Sequence, residues 1–188
     1  PYNSDLDFGT GDFCVMGWVK QTSTSLEVLI DRYSASGHRI YCQTSAGTPQ
    51  NMSFLVSNGV ATVQAQSASN VMPLNVWTFV VFRRFGSSIE IWKDAQLVGS
   101  AAIGSVGSLS DPDAKMYVGI NNDLSGYSNV SSFALLRISA TAPTAAQIAK
   151  IYNDEKVLFQ ENAQATLYGS SDAVTALAHD DATNLLHV

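Results

Sequence analysis

Charge is scarce in this chain: only 14% of its 188 residues are Asp, Glu, Lys or Arg, and the 10 Lys and Arg are scattered singly or in pairs. Holding phosphates takes a basic stripe, so nucleic acid is excluded as a partner. A formal net charge of −6 leaves polarity to Ser, Thr, Asn and Gly. Such hydroxyl-rich surfaces suit a β protein and are common in virion and secreted proteins. Long hydrophobic runs are missing too. No stretch approaches the roughly twenty apolar residues of a membrane helix, and no charged-then-apolar leader precedes Leu6, so a soluble chain without membrane insertion is expected. There is no initiating Met, and the last residues, His187 and Val188, fall within an apolar alternation, which reads as a piece of something longer.

Cysteine occurs only twice, as Cys14 and Cys42, both inside apparent strands. Free, buried thiols acting as small hydrophobes are expected, and the alternative is a sandwich-spanning disulfide that needs Cα atoms within about 7 Å. The three histidines, His38, His179 and His187, are far apart and lack any Ser or Cys context resembling a triad. His38 follows a glycine in a polar turn and reads as solvent-facing.

What is present is β pattern. Trp77 to Phe85 is apolar on both alternating faces, as in a central strand covered on two sides, whereas Ile89 to Lys93 alternates like a strand with one wetter face. Leu26 to Arg32 and Arg39 to Thr44 flank a turn at Ser34 to Gly37, and Met52 to Val56 and Val60 to Ala65 flank Ser57, Asn58 and Gly59. Asn-Gly is a strong hairpin signal because both residues tolerate positive φ. Met116 to Ile120 and Phe133 to Ser139 add two strands, separated by polar loops. Thr144 and Gln147 form a capping box that opens a helix, continued by Ile148, Ile151 and Tyr152 and ending near Phe159. Its apolar stripe must dock on the strands, and a sandwich edge is the expected place. From Gln160 the character changes, and Val174 to Ala178 with Leu185 to Val188 reads as a trailing hairpin.

Three segments carry a family resemblance. Residues 6–20 place Phe13 after a Gly-Asp turn and Trp18 five residues later; residues 77–94 end in Ile91, Trp92, Lys93 and Asp94; residues 132–139 are followed by the helix. Their order resembles the laminin-G-like, concanavalin A-like jelly roll, from about Leu6 to Phe159. The expectation is therefore an all-β, two-sheet antiparallel jelly-roll sandwich over residues 1–160, with one short C-terminal helix. Residues 161–188 are then a linker and the start of a further β module. Asp94-Ala95 departs from the family's Asp-Gly turn, and since Ala disfavours positive φ a longer loop is expected there.

Residues 152–172 are similar to the segment that follows such domains in bacteriophage tail fibre and tail spike proteins. The resemblance implies an adhesin on the virion surface that binds host-surface glycan without cleaving it, as a homotrimer beside neighbouring virion domains. Two other readings compete: a purely structural spacer or trimerisation module, and a polysaccharide depolymerase or its accessory domain. Glycosidases need two facing carboxyls, which the superfamily's β-glucanases place as Glu-x-Asp-x-x-Glu. No such spacing occurs, Glu90 and Asp94 read as solvated surface, and no catalytic residue is expected.

Laminin-G-like domains often bind calcium at one rim, which points to Asp111, Asp113 and Asp123 as oxygen donors. Where the family often carries an Asp-Glu pair, however, this chain reads Ser132, Phe133 and Ala134, and turn capping explains the same acids. The expectation is no cofactor, or Ca2+. Sugar recognition needs an aromatic face with amides or carboxylates delivered by loops. Tyr127 with Asn121, Asn122, Asp123 and Asn129 supplies that mixture in one loop, and Tyr33 with Arg32 and His38 in another. Trp18, Trp77 and Trp92 read as packing residues.

Overall fold

A computed structural model describes residues 3–24, 26–44, 51–124, 131–160, 178–180 and 185–187. The chain separates into two compact units, Pro1–Lys156 and Val157–Val188. The first holds strands β1 (Phe13–Gln21), β2 (Glu27–Tyr33), β3 (His38–Thr44), β4 (Met52–Asn58), β5 (Thr62–Gln66), β6 (Trp77–Phe85), β7 (Ser88–Lys93), β8 (Gln96–Ala102), β9 (Lys115–Val118) and β10 (Ser131–Ser139), then helix α1 (Ala145–Glu155). In the second, β11 (Ala178–Asp180) pairs antiparallel with β12 (Leu185–His187).

The ten strands form two five-stranded antiparallel sheets, a jelly-roll sandwich. Sheet A runs β10-β1-β6-β7-β8 and sheet B runs β5-β4-β3-β2-β9. Alternation sends Phe13, Val15, Val80, Phe82, Ile89 and Ile91 inward from sheet A to meet Ile40, Cys42, Phe54 and Val56 from sheet B. Phe54 locks the layers, its ring edge-on to Phe13 at 6.1 Å and to Phe82 at 5.7 Å.

The central strands of sheet A have no wet face, and α1 is the reason. Thr144 caps the helix in a reciprocal box with Gln147, and Tyr152 lies 5.9 Å from Trp18 and 6.1 Å from Phe79, on the side of the sheet away from the core. Trp18 Nε1 donates to Glu155 Oε2 at 2.8 Å, and Arg137 holds the same carboxylate through both terminal nitrogens. The helix therefore docks on the face of sheet A and not on an edge, because β1 and β6 are interior strands whose outward aromatics need cover. The α-helical part ends at Glu155, and a 3-10 turn continues to Phe159.

Two further expectations are corrected. Lys93 pairs directly with Gln96, so Asp94-Ala95 is a two-residue turn and not a longer loop, with φ of 46° and 63°. The left-handed strain is held by Asp94, which accepts from the Phe79 N–H at 3.0 Å and donates its own N–H to the Phe79 carbonyl at 2.9 Å. Glu90 is likewise no solvated bystander: it accepts from Arg83 Nε at 2.8 Å and Trp92 Nε1 at 2.7 Å. Cys14 and Cys42 are both free and buried. Phe13 and Val15 face the core, so Cys14 between them points away from it, whereas Cys42 points in. The edge strand β10 is bulged between the partners of Met16 and Trp18, where Leu135 adopts φ 49°.

Candidate functional site

Strand alternation builds the outer face of sheet B. Ile40, Cys42, Phe54, Val56 and Ala65 point into the core, so their neighbours Arg39, Tyr41, Gln43, Leu55 and Gln64 point out. Pairing then sets two rows across β3, β2 and β9: Tyr33 stands opposite both Arg39 and Lys115, and Asp31 opposite both Tyr41 and Tyr117.

Asp31 organises this face although it is fully buried. Arg39 holds it through two bonds of 2.8 Å, and the Asn122 N–H donates to it at 3.0 Å. A buried carboxylate is tolerable only with such partners, and here they draw residues 121–124 against β2. The Arg39 guanidinium lies 3.9 Å from the Tyr41 ring centre and 5.6 Å from that of Tyr33, within cation–π range.

Beside these rows is an open cleft of about 480 Å³ lined by Tyr33, Ser34, Ala35, Asp113, Lys115, Tyr117 and Asn122. Two of its lining residues, Ser34 and Asp113, bond to Asp111, whose carbonyl takes Arg32. Arg32 is buried, donating to the carbonyls of Leu109 and Asp111 at 3.0 Å each and to Asp7 Oδ1 at 3.2 Å. Asp111 accepts from Ser36 at 2.5 Å, Ser34 at 2.7 Å and the Asp113 N–H at 2.8 Å, with His38 Nδ1 at 3.3 Å. The two serine hydroxyls, helped by that N–H and by His38, outweigh burial and hold its pKa down at about 2. Ser36, His38 and Asp111 do not make a nucleophilic triad. Both the hydroxyl and the carboxylate sit at Nδ1, whereas a triad needs them on opposite ring nitrogens.

The residues read from sequence are thus sorted. Tyr33, Asn122 and Asp113 meet in the cleft. Arg32 does not: it ties the 109–111 segment to the interior. Asn121 is buried at the base of its loop, and Asp123 is exposed and outside the cleft lining. Tyr127 and Asn129 lie outside the described residues. Asp111, Asp113 and Asp123 do not gather into a cation shell, and among the described residues no three His, Cys, Asp or Glu side chains do. Asp111 in particular is filled by hydroxyl donors, so these residues do not fit calcium. Sequence reasoning missed Lys115, Tyr117, Arg39 and Tyr41. For Arg39 and Tyr41 the signal is the alternation of β3, where outward polar and aromatic residues take every second place, whereas β9 has only four residues and declares no face.

Many charges outside the cleft are held in ion pairs. Arg32–Asp7, Arg39–Asp31, Arg83–Glu90, Lys93–Asp94, Arg137–Glu155 and Lys150–Asp154 are all paired. No ion pair among the described residues uses Lys115 or Asp113, and none of their hydrogen bonds engages the hydroxyls of Tyr33 and Tyr117 or the side-chain amide of Asn122. These groups are set by the fold and left available.

The family profile for laminin G type domains of the concanavalin A-like lectin/glucanases superfamily matches residues 2–149, and the chain belongs to that superfamily. No curated protein matches it. Among solved structures it is similar to the binding domain of Paraclostridial mosquitocidal protein 1 (TM-score 0.61, 10% identity, 81% of this chain and 39% of that one). It is also similar to the receptor-binding domain of the botulinum neurotoxin C/D mosaic serotype (0.61, 13%, 79% and 37%). A third is the botulinum neurotoxin serotype D ligand-binding domain in complex with N-acetylneuraminic acid (0.61, 12%, 79% and 37%). The chain spans less than two fifths of each of these, and at such identity they show a shared fold. Among the described residues no helix is long and apolar enough to cross a membrane.

Proposed function

We propose that this domain is a non-catalytic glycan-binding module, and that its setting is an adhesin on a virion surface, of the tail fibre or spike kind. The observation that carries the binding reading is the convergence in one open cleft of the Tyr33 and Tyr117 hydroxyls, the Asn122 side-chain amide, the Asp113 carboxylate and the Lys115 ammonium. Phenol rings offer a face to the apolar side of a sugar ring, and the amide, carboxylate and ammonium match its hydroxyls. Membership of a lectin-containing superfamily supports it, as does the likeness to a domain solved with N-acetylneuraminic acid. A binding role without hydrolysis is supported by Asp113 being the one carboxylate among the described lining residues, where glycosidases use two. The virion setting, the homotrimer and the neighbouring virion domains rest on the resemblance of residues 152–172 alone.

The test is a glycan array on this chain, run with calcium and with chelator, beside a reducing-end assay. Tyr33→Ala should weaken the hits several-fold to about tenfold, the worth of one aromatic stacking contact. Hits should be equal in both arms, with no sugar released. A silent array would favour the spacer reading, and any hydrolysis would end the non-catalytic one.

A further inference from the structure

The cleft opens onto a sheet face that carries almost no net charge. The Asp31–Arg39 pair cancels itself, and the two uncommitted charges of the cleft, Asp113 and Lys115, are opposite in sign. Beyond them, the outward positions of β3, β4 and β5 include Tyr41, Gln43, Leu55, Gln64 and Gln66, with no acid or base, and Ser53 lies buried between them. Exposed strand faces ordinarily carry charges of both signs for solubility, so an amide, hydroxyl and aromatic floor is a departure that wants a ligand. Gln64 donates to Ser53 Oγ at 2.6 Å, which fixes its amide and leaves its carbonyl oxygen pointing to no partner among the described residues.

Building on the glycan reading, we propose that the cleft is one end of a longer floor, and that its ligand is an uncharged linear glycan held along several sugars. Each sugar hydroxyl both donates and accepts, as do amides and hydroxyls, whereas an anionic sugar would need surplus cations that this floor lacks within a chain of net charge −6. From β9 to β5 the floor crosses four strand spacings, about 19 Å, more than one sugar ring covers.

Calorimetric titration of the full chain tests this, using disaccharides and hexasaccharides of uncharged glucan, galactan, mannan and xylan, with oligogalacturonate as the carboxylated probe. An uncharged hexasaccharide should bind about tenfold or more tighter than its disaccharide. Raising NaCl from about 50 to about 500 mM should leave that affinity in place. Gln64→Ala, on an exposed edge-strand position, should narrow the gap several-fold without changing disaccharide binding. Equal affinity for both lengths would overturn the extended floor. Tighter binding of oligogalacturonate, fading with salt and with Lys115→Gln, would overturn the uncharged ligand and leave the glycan reading standing. Binding of none of these, with a silent array, would sink the glycan reading itself.

Discussion

At Asp111 two serine hydroxyls, one backbone N–H and His38 converge on a single carboxylate, and the same residue's carbonyl receives Arg32. Its folded pKa of about 2 lies below the ordinary 3.8, so the ionised form is the one the fold favours. Its contribution to stability is complete above pH 3.8 and disappears as pH falls from there towards about 2. Urea denaturation at stepped pH should show the native chain losing stability through that window more steeply than Asp111→Asn, the two converging at its acid end. Parallel curves would mean that the carboxylate is not held as described. Individual roles such as this were hard to read from the sequence. Arg32 sits between Asp31 and Tyr33, and only the register shift between Val28 and Ile30 decides which of the three turns inward. Lys115 and Tyr117 lie on a strand of four residues, too short for periodicity to declare a face.

Most elements themselves were legible, although β11 begins at Ala178, where the sequence pattern ends its strand, and residues 174–177 lie outside the described residues. Local chemistry marks them: the capping box at Thr144 and the Gly-containing turns of the hairpins each act within a few residues. Where α1 rests was not, since that depends on Trp18 and Phe79, far back in the chain, facing away from the core. Glu155 ties α1 to Trp18 of β1 and Arg137 of β10. Glu155→Ala should therefore lower the unfolding free energy by about 1 to 2 kcal/mol, discounted because Arg137 is partly exposed, while leaving helix content intact. Far-UV circular dichroism with chemical denaturation separates those outcomes, and melting of the helix before the sheets would show that α1 is not integral.

Across the whole molecule, strand existence was local information and strand order was not. β1 sits between β6 and β10, and no residue near Phe13 announces partners so far along the chain. The family resemblance supplied the two-sheet jelly roll, and the structure supplies which strands pair. The packing it produces has a measurable consequence in the two thiols. Burial pushes Cys14 up to about 12, against the pull of Arg137 and Arg83, and pushes Cys42 well above its usual value, with the Cys14 and Asp31 charges adding to it. Neither should react with an aromatic disulfide reagent at about pH 8 in the native state, and both should react at once in denaturant. Fast native labelling of either would show the sandwich breathing locally.

The kink at Leu135 bears on how such molecules behave when crowded. A border strand bent out of its pleat, with one residue in a left-handed conformation, offers no straight run of free amides to a newcomer. Sheet A is thereby closed to growth along that side, and concentrated solutions gain no fibril seed from it.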